Sequence, residues 1–366
     1  MAKQSGLLII IILGISFSSC IQTKKTAFQR SDQPKNIILM IGDGMGLPDV
    51  YAAMTVSEKQ LNIGRCNISG LQKTFSSNSY ITDSGAAGTA LATGNKTKNG
   101  AIGVDALGNP VRSILEIASG NGLATGLVST SSITDATPAS FIAHQPNRSR
   151  HEAIAQDFLR TNIDVFIGGG YEYFARRADK LNLTDSLKLK GYEVDTTLNL
   201  ILNSTSGKLA GFTAPEGNPY RLKGRGDMLP LAAGKALEIL AKNPKGFFLM
   251  IEGSEIDGAG HENAQDTLVD EVLDFDKAAG VVLDFAQKNG QTLVIITADH
   301  ETGGVTITGG DLANHKVELK FSSKGHTAVM VPVYAFGPGS EKFTGIYDNT
   351  DIFHKMMEAY GSGQAK

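Results

Sequence analysis

The sequence predicts a three-layer α/β/α sandwich, an α/β domain built on a central, mostly parallel sheet. Two observations predict it. Apolar, β-branched runs of strand length recur along the chain without the alternation of a half-exposed strand, and segments of helical periodicity separate them. Strands that are apolar all round need cover on both faces, and the connecting helices supply it. A third observation sets the extent: no Pro/Gly/Ser-rich linker interrupts residues 35–366, so a single domain is expected there.

The elements follow in order. Residues 1–19 read as a signal peptide: Lys3 gives a positive start, Leu7 to Leu13 form an apolar run too short to span a bilayer comfortably, and Phe17-Ser18-Ser19-Cys20 closes it. This is the pattern of a bacterial lipoprotein signal, cleaved before Cys20 and lipid-modified there, with Cys20 as the membrane anchor. Residues 20–34 are a polar tether. Strands are expected at 36–41, 124–129, 164–167, 247–251, 292–297 and 329–336, with a shorter strand-like stretch at 79–82. Helices are expected at 151–160, 229–242 and 266–288. The region 170–225 is more polar and is expected as an insertion or lid over the site.

Composition excludes several classes. With 34 Lys+Arg against 37 Asp+Glu the net charge is −3, so nucleic-acid binding is not expected. A chain that is 41% hydrophobic and 19% charged is not disordered. Two cysteines cannot form a disulfide framework; with Cys20 lipidated, Cys66 is a lone thiol, expected as a small buried apolar residue. The glycine count of 42 suggests tight turns near a site.

In open α/β sheets ligands bind beyond the carboxyl ends of the strands. There the first strand runs into Gly42-Asp43-Gly44-Met45-Gly46, the 247–251 strand into Glu252, Asp257 and His261, and the 292–297 strand into Asp299-His300, while His326 precedes the last strand. An ionised Asp43 would repel a pyrophosphate, which favours a metal ligand over a dinucleotide loop. Asp257 and His261, four apart, either share one helical face or lie in a loop. Carboxylates and imidazoles without a thiolate suit Zn2+ in an open, catalytic site, and an all-oxygen set suits Mg2+.

Two further segments carry chemistry. Ser84, in Thr82-Asp83-Ser84-Gly85-Ala86, opens a helix of small residues; it is either a plain helix cap or a nucleophile at the positive end of the helix dipole. No Gly-x-Ser-x-Gly elbow surrounds it, so activation of its hydroxyl by a metal is the remaining route. Thr134-Asp135-Ala136-Thr137 is followed by Arg148, whose planar guanidinium is either a surface charge or a bidentate clamp for phosphate oxygens. His144, His151, His315 and His354 lack ligand partners in sequence and are expected as surface or capping residues.

These motifs, in this order from Asp43 to Asn349-Thr350-Asp351, resemble the alkaline phosphatases. The resemblance implies a metal-dependent phosphate monoester hydrolase that works through a phosphoserine on Ser84 and releases inorganic phosphate from a broad range of monoesters. It implies two Zn2+ and one Mg2+ as cofactors. Asp257, His261 and His326 correspond to the ligands of the first zinc, which binds the leaving-group oxygen and later the attacking water. Asp43, Asp299 and His300 correspond to the second, which holds the Ser84 alkoxide. Asp43 also bridges to a magnesium completed by Thr137 and Glu252. Arg148 corresponds to the phosphate clamp, oriented by Asp83, and Asp135 to a supporting residue beside the magnesium.

In that implied set the cations and Arg148 outweigh the four carboxylates and the alkoxide by about two charges, which suits a monoester dianion better than a diester. The signal pattern adds the expectation of a periplasmic or outer-membrane lipoprotein of a bacterium, and the oligomeric state stays open, with a homodimer as one option. One position departs from it: relatives carry Lys, His or Trp directly after the Asp257 equivalent, where this chain has Gly258. The competing expectations are a diesterase, sulfatase or phosphonate hydrolase sharing the ligands, and a metal- or phosphate-binding lipoprotein without catalysis.

Overall fold

The computed structural model describes Met1 and residues 33–361. The expected signal peptide, the lipidation at Cys20 and nearly all of the tether lie outside the described residues. Contacts divide the chain into Met1–Arg30 and Ser31–Lys366, and the second unit is described here.

In chain order the strands are β1 (Asn36–Gly42), β2 (Ile68–Lys73), β3 (Ala124–Ser132), β4 (Val165–Gly169), β5 (Glu193–Asp195), β6 (Leu209–Phe212), β7 (Phe247–Gly253), β8 (Thr292–Thr297), β9 (Glu301–Thr302), β10 (Val305–Asp311), β11 (Lys316–Phe321), β12 (His326–Thr327), β13 (Val331–Phe336) and β14 (Gly345–Asp348). The helices are α1 (Leu47–Val56), α2 (Ser84–Thr93), α3 (Ile114–Gly120), α4 (Ala136–Ala139), α5 (His151–Asp157), α6 (Tyr171–Ala175), α7 (Leu183–Leu189), α8 (Leu198–Asn203), α9 (Met228–Leu240), α10 (Glu255–Glu262), α11 (Gln265–Asn289) and α12 (Asn349–Ala359).

One ten-stranded sheet organises the unit, in the order β14-β2-β13-β8-β1-β7-β3-β4-β6-β5. Every neighbouring pair is parallel except those made by β13, which runs against both β8 and β2. β1 lies in the middle, and its side chains alternate between two cores. Ile37, Leu39 and Ile41 join Phe141, Phe166 and Phe248 on one face, while Ile38 and Met40 join Leu229, Phe247 and Phe275 on the other. Each such side chain stabilises the fold by about 1.5–3 kcal/mol relative to exposure. Two cores on one sheet make the three layers that the apolar runs imply.

Where sequence and structure differ, pairing explains the difference. Residues 79–82 form no strand: Tyr80 and Ile81 are exposed, and Asn99 Nδ2 donates to the Ile81 carbonyl where a ladder would have been. The β-branched composition is there, but no neighbouring strand is. Residues 170–225 are not an irregular cover throughout, because their first part carries α6, α7 and α8 and places β5 and β6 at the edge of the main sheet. The stretch after β6 turns back toward the carboxyl ends of the central strands, where Asn218 Nδ2 donates to the Thr130 carbonyl of β3 at 2.9 Å. Among the described residues no helix is long and apolar enough to cross a membrane. Cys66 is free and half-buried, and burial pushes its thiol up to about 12, so it stays protonated and unreactive.

Candidate active site

Parallel strands finish at one edge, so β1, β3, β7 and β8 deliver their following loops to the same place. β13 is reversed, and its leading end, with His326 just before it, arrives there too. Gly44 turns the first loop at φ 73°; a side chain there would meet Thr302 Oγ1 at 2.8 Å and the Asp257 backbone at 2.9 Å. Glycine is therefore what lets Asp43 approach the other ligands.

Two groups of metal-ligand type form among the described residues: Asp43 with Asp299 and His300, and Asp257 with His300 and His326. His261 joins the second through Asp257, at 3.3 Å from Nε2 to Oδ2, on one face of α10. The helical alternative for this pair is thus the observed one. His326 Nε2 lies 3.6 Å from Asp257 Oδ1, and its ring stacks on His300 at 3.6 Å between centroids.

The hydrogen bonds fix how the imidazoles face. His261 Nδ1 meets the Lys324 carbonyl at 2.6 Å and His326 Nδ1 the Thr82 carbonyl at 2.9 Å; a carbonyl only accepts, so each Nδ1 carries the proton. Thr302 Oγ1 donates to Asp257, and therefore accepts from His300 Nδ1 at 3.2 Å. All three rings consequently turn an Nε2 lone pair inward, the orientation that outer hydrogen bonds impose on ligating histidines.

Around His300 Nε2 stand Asp299 Oδ2 at 3.2 Å, Asp43 Oδ1 at 3.4 Å and Ser84 Oγ at 3.3 Å. Both carboxylate oxygens are buried and receive no hydrogen bond. Electron pairs that converge in this way are stable around a cation, and nitrogen and oxygen donors without sulfur fit Zn2+. The electrostatics agree. Burial first, then Asp299, Asp257 and Glu252, hold the Asp43 carboxyl well above its ordinary value. Burial also pushes Glu252 up to about 8, against the pull of its bond from Ser129. Burial opposes the charge on Asp257 as well, yet His261, His300, His326 and Thr302 hold it well below the carboxylate range.

Beside this lies an oxygen-rich flank. Thr137 Oγ1 reaches Asp43 Oδ2 at 3.4 Å and also hydrogen-bonds Glu252, which Ser129 and Ser131 contact from β3. Hard oxygen donors of this kind fit Mg2+.

Ser84 is the first residue of α2 and almost fully buried. The cap itself is Asp83, whose carboxylate accepts from Ala86 N at 3.0 Å, so Ser84 is not needed as a cap. Arg148 spans two helix starts: Nη1 donates to Asp83 at 3.2 Å and Nη2 to Asp135, the cap of α4, at 3.3 Å. Burial works against its charge, but Asp135, Asp83 and Asp43 more than offset this and secure the guanidinium as a cation. Only two of its five N–H groups are taken by these carboxylates, and the rest are free for an anion.

A family model described as alkaline phosphatase matches residues 34–320 and 309–361. The chain belongs to the alkaline phosphatase family. It is 36% identical to alkaline phosphatase 4 of Bacillus subtilis (strain 168), over 94% of this chain and 93% of that protein. Against alkaline phosphatase of Escherichia coli (strain K12) the identity is 32%, over 93% and 89%. The solved alkaline phosphatase of the Antarctic bacterium TAB5 is 42% identical with a TM-score of 0.86, covering 91% of this chain and 99% of that one, and a mutant of it has been solved with Mg bound. As an alkaline phosphatase family member, the protein is a metal-dependent hydrolase of phosphate monoesters.

Within this family member, sequence reading missed Thr302, Ser129 and Ser131. Thr302 sits two residues after His300, where a period-two pattern would have flagged it; the serines are ordinary strand residues until Glu252 is placed beside them. At Gly258 the space beside the backbone is filled by Tyr220: a Cβ there would lie 3.0 Å from its hydroxyl.

Proposed function

We propose that this phosphatase works through a phosphoserine on Ser84, with a bound set of two Zn2+ and one Mg2+. Asp257, His261 and His326 would hold one zinc, Asp43, Asp299 and His300 the other, and Asp43, Thr137 and Glu252 the magnesium. Bound there, the cations supply positive charge to the attacking and leaving oxygens and make a serine hydroxyl or a water nucleophilic near neutral pH. The observation that carries the reading is the Ser84 hydroxyl, buried at the N-terminus of α2 and 3.3 Å from His300 Nε2, a nitrogen that the two orphaned carboxylate oxygens also approach at 3.2 and 3.4 Å.

The chain's own residues then divide the work. Arg148, anchored by Asp83 and Asp135, forks two non-bridging phosphate oxygens. Ser84 Oγ gives up its proton and bonds to phosphorus as the ester P–O bond breaks, and the departing alcohol takes up a proton. Water next attacks the phosphoserine, returning the hydroxyl to Ser84 and releasing inorganic phosphate. The backbone N–H groups at the start of α2 favour the negative charge that Ser84 carries in each step. Positioning and electrostatics supply most of the rate in such a transfer.

The proposal extends to place and assembly. Exported and tethered through Cys20 in a bacterial envelope, the enzyme would release phosphate from many monoesters. Leu47, Tyr51 and Met54, exposed along one face of α1, favour pairing with a second copy.

Rates on p-nitrophenyl phosphate, its bis ester and its sulfate, with and without EDTA, test the reaction class. Monoester turnover that EDTA removes and zinc plus magnesium restore is expected. Faster turnover of the bis ester or the sulfate would refute it. Acid quenching with labelled monoester should trap label on Ser84, and a Ser84→Ala variant that keeps near-normal rate would refute the covalent route.

A further inference from the structure

The helix that carries Asp257 and His261 is poorly made for standing alone. α10 is eight residues long, Glu-Ile-Asp-Gly-Ala-Gly-His-Glu, and its N-cap Ser254 makes no side-chain cap hydrogen bond. Two glycines in so short a helix lower its intrinsic stability by more than Glu255 and Asp257 in the first turn and His261 in the last return through the helix dipole. Its geometry must come from what packs on it.

Both glycines mark close approaches. A Cβ at Gly260 would meet the Thr302 backbone oxygen at 3.0 Å, on the side of the helix already described. A Cβ at Gly258 would meet Tyr220 Oη at 3.0 Å, Tyr220 Cε1 at 3.4 Å and Glu255 Oε2 at 3.6 Å, on the flank of α10 beside His261. Tyr220 is almost fully buried, and its hydroxyl faces Glu262, one turn beyond Gly258 on α10. The ring therefore lies along a flank of the ligand helix, in the space beside Gly258 with its hydroxyl toward Glu262.

Tyr220 is itself held. Arg225 donates to the Pro219 carbonyl at 3.0 Å, to Asp274 at 2.9 Å and to Glu271, and the three charged side chains are at most 3% exposed. Arg221 N donates to Glu271 Oε1 at 2.6 Å, and its guanidinium pairs with Asp270. Three acidic residues of α11, Asp270, Glu271 and Asp274, thus clamp the stretch that presents the ring.

We propose that Tyr220 is a positioning residue for the α10 ligand pair: seated in the space Gly258 leaves open, its ring holds Asp257 and His261 at their metal-binding separation. This rests on the reading of Asp257 and His261 as zinc ligands. The ring acts by contact, so the hydroxyl is secondary and the missing side chain at 258 is a requirement.

Zinc release from the purified, zinc-loaded protein into a colorimetric chelator tests this, alongside steady-state kinetics. Tyr220→Ala should lower zinc affinity by about tenfold, the scale of outer-shell losses at metal sites. Excess zinc should then restore kcat with KM unchanged. Tyr220→Phe should hold zinc as the unaltered protein does. Gly258→Ala should release zinc faster, and adding Tyr220→Phe to it should restore retention, because removing Oη leaves only the 3.4 Å contact. Zinc release from Tyr220→Ala at the unaltered rate would overturn the proposal. So would strict additivity of Gly258→Ala and Tyr220→Phe, a comparison that survives even if Tyr220→Ala does not fold. Failure of the unaltered protein to bind zinc would instead sink the ligand reading beneath it.

Discussion

Replacing Thr302 with valine removes one hydroxyl and keeps the shape of the side chain. Thr302 is fully buried, donates to Asp257 and accepts from His300 Nδ1 at 3.2 Å. Losing a hydrogen bond to a carboxylate costs about 1.5–3 kcal/mol, and the orphaned imidazole N–H adds about 1–3 kcal/mol. Part of that cost falls on the folded protein whether or not a metal is bound, so only the difference reaches the metal affinity. Without an acceptor at Nδ1, His300 can also carry its proton on Nε2, facing Asp43 and Asp299, where it displaces a cation. A tenfold to hundredfold loss of zinc affinity is expected, corresponding to about 1.4–2.8 kcal/mol. Competition against a zinc-sensitive dye measures it, with circular dichroism as the check on folding. Thr302→Ser, which retains the hydroxyl, should recover most of the loss. If Thr302→Val binds zinc within a factor of about two of the unaltered protein, the hydroxyl does not set the tautomer and the reasoning fails.

Other consequences can be checked in parallel. Arg148→Ala should weaken inhibition by inorganic phosphate and lower kcat/KM by about 2–4 kcal/mol, while metal content by atomic emission stays unchanged; zinc loss would contradict the clamp assignment. Cys20→Ser should abolish incorporation of labelled fatty acid and release the protein from membranes, and a lipid-labelled variant would refute the lipoprotein reading. His144 supplies a pH test. Its bond to Glu116 at 3.0 Å, against the opposing effect of burial and with help from the Gly103 carbonyl, raises its pKa, while Glu116, despite burial, is lowered by His144 and Ser113. The histidine's contribution is complete below about 6.5 and is lost as pH rises through the raised folded value. The glutamate's is complete above about 4.5 and is lost as pH falls. Chemical denaturation should therefore show the largest gap between the unaltered protein and His144→Ala at pH 5–6.5, narrowing above that window, and a gap that grows toward pH 9 would refute it.

The central strands were legible because they are apolar on both faces. β8 lies at the expected residues 292–297, and β1, β3 and β7 extend the expected runs by one to three residues. The short edge strands β5 and β14, and β6 one position in from the edge, were not, since three or four residues carry no periodicity. β2 contains Gly70 and is only half-buried, so its composition hides it. Residues 79–82 show the opposite error, where strand-like composition has no neighbour to pair with. At the site, ionisable groups beyond strand ends announced themselves, because water-exposed turns rarely collect them without cause. Thr302 and Tyr220 gave no such signal: their effect depends on which atoms they touch, and a hydroxyl or a ring looks the same in sequence wherever it lands.

The position of β1 has a cost in time. It is the first strand of the unit, yet its two partners, β7 and β8, lie more than two hundred residues later, Ile37 facing Phe248 in one and Leu293 in the other. A ribosome must therefore extend the nascent polypeptide through most of its length before Asp43 can meet Asp299, and through the reversed β13 before His326 joins them. Truncated products ending before His326 would lack one of the proposed ligands, so the proposed cage could be completed only late in synthesis.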